Sequence, residues 1–218
     1  MSPPSTVMLG QSQPRRRSAE DTRTLLLKAA AHLFARKGVA GITLAEIAGT
    51  VGLSGPAIYN HFPSKDALFI AVVQQMYDEE IIAFEKVLQP LSSVAQGVAV
   101  LLDLVPTLYR DDGTLQLLGL TAQLEAARNP SVYQVLIDAS LRRDRVAVSL
   151  VERAKEQGEL APEVDAAEVG AMLLSLFYGA LGYRSLMAPT PEQFRGSVQA
   201  LRCLLTVMKD NSIKTMQE

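Results

Sequence analysis

Residues 42–68 read ITLAEIAGTVGLSGPAIYNHFPSKDAL, which spells two short helical segments, a glycine turn and the start of a third helix. Thr43 is placed to accept from the Glu46 N–H while Glu46 reaches back to the Thr43 N–H, a reciprocal cap that starts a helix at Leu44. Leu44, Ile47, Ala48 and Val51 then follow the i, i+3, i+4, i+7 spacing of one buried face, and Ala48 is small enough for a second helix to cross closely. Gly52 ends the segment, because glycine takes the left-handed conformation that turns a chain sharply. Ser54 follows as the N-cap of a very short helix, with Pro56 in a first turn whose N–H groups have no intrahelical partner anyway. Ile58 and Phe62 point toward the core, leaving Ser54, Gly55, Ala57, Tyr59, Asn60 and His61 outside. Pro63, the Ser64 cap and Asp66 at the positive end then begin a long helix.

This stretch resembles the DNA-binding domain of the tetracycline-repressor (TetR) family of bacterial regulators, over roughly residues 18–73. Thr43, Ile47, Ala48, Gly52, Ser54, Tyr59, His61, Phe62, Lys65 and Leu68 all fall where that family's pattern wants them. The resemblance implies that the second short helix lies in the major groove, and that Thr43, Tyr59 and Lys65 match residues that grip phosphates. One departure matters: many relatives carry a lysine or arginine in the first turn of the reading helix, and here that turn is Gly55, Pro56, Ala57. Direct base hydrogen bonding from it is expected to be sparse. Apolar contact of Pro56 or Ala57 with a thymine methyl, and an Asn60 contact to a base or phosphate, form the expected readout. DNA shape carries the rest.

A chain of 218 residues, 48% hydrophobic and 20% charged, suits one large or two small packed domains. With no Trp, few aromatics and little alternating pattern, the expected class is all-α. Cys203 is the only cysteine, which excludes an internal disulfide or a cysteine zinc site and fits a reducing cytoplasm. It reads as a small apolar core or interface residue. Residues 1–17 contain no apolar run fit for a signal peptide, and the longest uncharged apolar stretch, residues 169–183, is shorter than the ~20 residues of a membrane span. No membrane association, metal or cofactor is expected. His32 has no partner at metal-ligand spacing.

The net charge of −2 hides an asymmetry. Residues 1–66 carry eight Lys/Arg against four acids, and the remainder carries thirteen against nineteen. DNA would therefore approach the N-terminal end. Arg15, Arg16 and Arg17 read either as an arm that tracks phosphates or enters the minor groove, or as a solvated tail.

The remaining pattern is a series of helices. One is expected from Ala19 to about Lys37, capped by Ser18 with Asp21, and one from Lys65 to about Leu88, roughly 35 Å long at 1.5 Å per residue and a natural lever. Others are expected at residues 94–110, 114–128, 130–157, 166–187 and 191–208, with joins at Gly113, Asn129, Gly158 and Pro189. The organisation expected is a basic arm at 1–17, a helix-turn-helix domain at 18–66, a larger helical ligand-binding and dimerisation domain at 67–210, and a tail at 211–218.

The helix at 166–187 is apolar almost all round and wants a partner. Ala171, Ser175, Gly179 and Gly182 place small residues along one side, with Tyr183 and Leu186 on the flanks. A homodimer through the last two long helices, as the resemblance implies, can hold two reading helices about 34 to 36 Å apart, one turn of DNA. Simple burial within one chain is the other reading. For a small-molecule effector the expected pocket takes Leu102, Val105, Tyr109, Leu117, Leu118, Thr121, Glu125, Tyr133, Ile137 and Tyr178 into a common interior, mostly apolar with a few polar groups. Glu125 either faces that cavity or pairs with Arg128 on the surface. Few cations lie in this interior, so an apolar or aromatic effector is expected over a strongly anionic one.

The leading reading is a dimeric repressor that leaves double-stranded, palindromic operator DNA when a small molecule binds. The alternatives are an all-α enzyme or a partner-binding protein using the C-terminal pocket. Against an enzyme, the sequence has no HExxH, P-loop, nucleophile elbow or Cys/His cluster.

Overall fold

Reciprocal caps and glycine stops divide the chain into helices. The computed structural model describes residues 18–108 and 113–187, with side chains through residue 104 and from 113 to 179. Helix α1 (Ala19–Lys37) opens with the Asp21 N–H donating to Ser18 Oγ at 3.0 Å and the Ser18 N–H to Asp21 Oδ2 at 3.2 Å. It closes at Gly38, whose φ of 69° few other residues adopt. Helix α2 (Leu44–Thr50) carries the expected Thr43–Glu46 box, and Gly52 turns the chain at φ 76°. A short 3₁₀ helix (Gly55–Asn60) follows, then α3 (Lys65–Leu88), α4 (Val94–Leu108), α5 (Thr114–Ala126), α6 (Pro130–Glu156) and α7 (Ala166–Met187). All described elements are helical. The helix expected at 191–208, Cys203 and the tail lie outside the described residues.

Two apolar cores stand along α3. In the first, Leu26, Phe34, Ile47, Ile58 and Phe69 pack with Leu118 and Ala122 of α5 and Val132 and Ala139 of α6. The second joins Phe84 and Leu88 of α3 to Leu101 of α4, Leu150 of α6, and Leu174 and Phe177 of α7. Phe34 and Phe69 meet edge to face in the first, and Phe84 and Phe177 do so in the second. Helix α3 thus runs from the head into the body as one rigid rod.

Helix α6 holds that rod at three levels. Arg142 pairs with Asp78, and Arg143 pairs with Glu80 at 3.2 Å. Arg153 closes the end of α3, donating from Nη2 to the Leu88 carbonyl at 2.7 Å and from Nε to that of Leu91 at 2.6 Å. The start of α4 is capped from a distance: the Glu159 carboxylate accepts from the Val94 N–H, the Ala95 N–H and the Ser93 hydroxyl. Glycine permits two close crossings. A Cβ on Gly97 would lie 2.4 Å from Leu150 Cδ2, and one on Gly170 would lie 3.3 Å from the Val148 nitrogen.

Candidate nucleic-acid interface and interior cavity

The 3₁₀ helix is held from beneath by Ile58, fully buried, and Phe62, whose ring also carries the Arg23 guanidinium at 5.0 Å. Its crossing with α2 is close at more than one point. Ala48 is fully buried, and a Cβ on Gly55 would meet Ala45 Cβ at 3.3 Å. Glycine in the first turn thus leaves room for a close approach to α2 where many relatives carry a cation.

Of the residues expected to meet DNA, Ser54, Pro56, Tyr59 and Asn60 are exposed, and Gly55, Ala57, His61 and Lys65 are half-buried. Tyr59 is the most prominent, 59% exposed. Ser54 stands at the N-cap position, but its hydroxyl makes no cap hydrogen bond and is available to a partner. Thr43 is exposed but committed: its hydroxyl donates to Glu46 Oε2 at 2.8 Å and accepts from the Glu46 N–H at 3.2 Å. That hydroxyl bond, with the Thr43 N–H donating at 2.7 Å, holds the Glu46 carboxyl below the ordinary carboxylate range. A phosphate at Thr43 must turn the hydroxyl away from Glu46. The Lys65 ammonium donates to the Ile42 carbonyl at 3.0 Å, with two N–H bonds left over. Arg15, Arg16 and Arg17 lie outside the described residues.

The interior differs more. The cavity of the body lies between α3, α4, α6 and α7, bounded by Phe84, Leu101, Leu102, Leu150 and Phe177, with Arg143 as its charged member. Its free volume is about 20 Å³, room for one water. Of the expected ligand residues, Leu102 lines it and Tyr178 stands beside Arg143. The expectation of a common interior is corrected for Leu117, Leu118, Thr121, Glu125, Tyr133 and Ile137. Leu118 is buried in the core shared with α1, while Leu117, Tyr133 and Ile137 are exposed. Thr121 is half-buried and donates its O–H to the Leu117 carbonyl. Glu125 is half-buried and makes no ion pair with Arg128 among the described residues. The reason is that α5 turns its buried side to α1, and a helix apolar on several sides does not announce which side that will be. Tyr109 and the Val105 side chain lie outside the described residues.

Arg143 and Glu80 were missed because their helices look ordinary and charged at these positions. The Arg143 guanidinium stacks against the rings of Tyr77 at 5.1 Å and Tyr178 at 4.8 Å. Its Nη1 donates to Glu80 Oε2 at 3.2 Å and to the Tyr178 hydroxyl at 3.3 Å. Tyr178 also hydrogen-bonds Glu80. Burial pushes the Glu80 carboxyl above its ordinary range against the opposing pull of Arg143, and burial with the Glu80 charge pushes the Tyr178 phenol up as well. A signal was present in the sequence: Tyr77 and Glu80 share one face of α3 at i, i+3 spacing.

On α7, Ala171, Met172, Ser175, Leu176 and Gly179 are exposed along one side, Met172 to 60%. Gly182, Tyr183 and Leu186 continue the helix, but their side chains lie outside the described residues. No described helix is long and apolar enough to cross a membrane.

Comparison with known proteins meets the same geometry. Residues 26–72 match the family model of bacterial regulatory proteins, tetR family. The chain is 26% identical over 163 residues to the HTH-type transcriptional regulator UidR of Escherichia coli K12, covering 75% of this chain and 81% of that protein. It is 28% identical over 176 residues to the HTH-type transcriptional repressor BepR of Brucella suis, covering 77% and 83%. Among solved structures, a transcriptional regulator from Saccharomonospora viridis in complex with choline superposes with a TM-score of 0.69 at 21% identity, covering 83% of this chain and 95% of that one.

Proposed function

The chain belongs to the TetR family of bacterial regulatory proteins, DNA-binding transcriptional regulators, and from that premise we propose that it is a cytoplasmic homodimeric repressor released from a palindromic operator by a small, mainly apolar molecule. The observation that carries this reading is the exposed edge of the 3₁₀ helix: Ser54, Pro56, Tyr59 and Asn60 stand outward over a rigid apolar base.

In this account residues 18–66 form the reading head and 67–210 the body. Tyr59, Lys65 and, with its hydroxyl turned, Thr43 grip phosphates; Ser54, Pro56, Ala57, Asn60 and His61 lie toward the bases, with Gly55 at the closest approach. Arg15, Arg16 and Arg17 reach along the backbone of the DNA. Two copies pair through the exposed side of α7, whose small residues Ala171, Ser175 and Gly179 admit a close backbone approach, continued by Gly182, Tyr183 and Leu186. Exposed Met172 and Leu176 support this reading, since large apolar side chains in a row on a monomer mark an interaction site.

The effector enters between α3, α4, α6 and α7. Leu102 lines that cavity and Tyr178 stands beside its Arg143; Val105 and Tyr109 are assigned to the effector from the sequence alone, whereas Leu117, Leu118, Thr121, Glu125, Tyr133 and Ile137 are not among the residues that line it. A neighbour of the same fold is solved with choline, which supports a small molecule as the controlling partner. Because the cavity is nearly filled, a ligand must part the helices that line it, and α3 is one of them. A ligand that prefers the parted arrangement changes the spacing of the two heads and so opposes operator binding.

Selection of genomic DNA fragments by the purified protein, followed by binding curves on the enriched site at several salt concentrations, tests the reading. A palindromic site with a steep negative salt slope is expected. Failure of the folded protein to enrich any site would remove it.

A further inference from the structure

The geometry points to Arg143 as the anchor for an anionic head group, so that the effector is an amphipathic monocarboxylate that takes Arg143 from Glu80 and thereby removes the middle of the three ties between the lever α3 and α6. This rests on the ligand-responsive reading above and narrows it to one chemical class.

Three observations converge. The described residues that line the cavity are all apolar except Arg143, whose guanidinium lies next to it among Tyr77, Tyr178 and Glu80. A tail lies among Phe84, Leu101, Leu102 and Phe177 while the head group meets a cation. Second, Arg143 donates through Nη1 to Glu80 and to the Tyr178 hydroxyl, and it also hydrogen-bonds Tyr77. A guanidinium carries five N–H donors in a planar fork that suits a carboxylate bidentately, so a carboxylate that replaces Glu80 meets matching geometry. Tyr77 and Tyr178 stack on the guanidinium and hold its plane in place. Third, the group already paired with Arg143 is a carboxylate, so the site is built for that chemistry, and the carboxylate comes from α3.

Exchange of one carboxylate for another gives the site its consequence. Glu80 is faced by Arg143 from α6 and by Tyr178 from α7, with Tyr77 on its own helix. When a ligand takes Arg143, Glu80 loses its counter-charge while still buried. It answers by taking up a proton, which burial already favours, or by swinging outward with its helix. Either removes the middle tie between α3 and α6. The Arg142–Asp78 pair is partly exposed and holds less by itself.

The test is isothermal titration calorimetry on the full chain with three probes of one length: octanoate, 1-octanol and octylamine. The expected result is octanoate bound at least tenfold more tightly than 1-octanol, with octylamine not bound. Arg143→Gln should erase the preference of octanoate over the alcohol, Arg143→Lys should restore part of it, and Glu80→Gln should strengthen octanoate binding several-fold. The ratio of the two affinities is the readout, because a merely structural role of Arg143 would weaken both probes alike. Equal affinity for octanoate and 1-octanol, or a ratio unchanged in Arg143→Gln, overturns the proposal. If 1-octanol alone binds and releases the enriched operator fragment, the ligand-responsive reading stands and the carboxylate anchor falls. If no probe binds, both fall.

Discussion

The Lys65 ammonium donates to the Ile42 carbonyl oxygen at 3.0 Å, fastening the first residue of α3 to the segment that enters α2. The lever and the reading unit are thereby joined by one side chain. The same cation has two donors left for a phosphate. Lys65→Ala should therefore show two effects: a loss of about 1 kcal/mol in urea denaturation, from a charged hydrogen bond at a half-buried site, and a salt slope for operator binding reduced by about 0.9 for each phosphate that the side chain no longer neutralises. A changed stability with an unchanged slope would confine Lys65 to the structural role.

Tyr59 separates the two roles differently. It is exposed and supports no core, so Tyr59→Phe should leave the urea midpoint within about 0.5 kcal/mol of the parent. Binding should nevertheless weaken on every DNA sequence alike, as removal of a phosphate hydrogen bond requires. A sequence-dependent loss in fluorescence-anisotropy titrations would reassign Tyr59 to base reading.

Gly97 and Gly179 make an opposed pair. A Cβ on Gly97 meets buried Leu150, so Gly97→Ala should destabilise by about 1 kcal/mol net, overpacking of about 1–3 kcal/mol being partly offset by better helix propensity. Nothing lies within 4 Å of a Cβ on Gly179 in the single chain, so Gly179→Ala should stabilise the isolated subunit by up to about 1 kcal/mol. If α7 is the dimer face, the same change should raise the dimer dissociation constant measured by analytical ultracentrifugation. An unaltered constant would move the interface elsewhere.

The pH dependence of stability should carry the mark of Glu80. Its folded carboxyl is raised above the ordinary 4.5 by burial, against the pull of Arg143. The folded state therefore binds the proton more tightly than the unfolded chain. That contribution is fully present below 4.5 and is lost as pH rises through the raised value. Urea denaturation across this range should show a decline with rising pH that Glu80→Gln flattens. A parent and variant with parallel profiles would contradict the assignment.

The reading unit was legible because its signals are local. The Thr43–Glu46 and Ser18–Asp21 boxes and the turns at Gly38 and Gly52 depend on neighbours three or four residues away, and each stands where the sequence put it. The ends of α3 and the start of α7 followed for the same reason. The interior was less legible because it is decided by pairing between distant helices. Nothing in the sequence said that α5 would turn Leu118 toward α1, or that Arg143 would meet Glu80 across 63 residues. A charged residue on a long helix reads as solvated until its neighbour is known. Few cations were expected in the interior, and Arg143 is the one charged residue among the described residues that line the cavity.

The central claim, a two-fold protein reading DNA with the 3₁₀ helix, is tested most directly by a hydroxyl-radical footprint on the enriched fragment. Two equivalent protected patches related by a dyad are expected, about 34 to 36 Å apart along the duplex, both abolished together when Asn60 and Tyr59 are replaced by alanine. A single patch, or protection that survives those replacements, would contradict it.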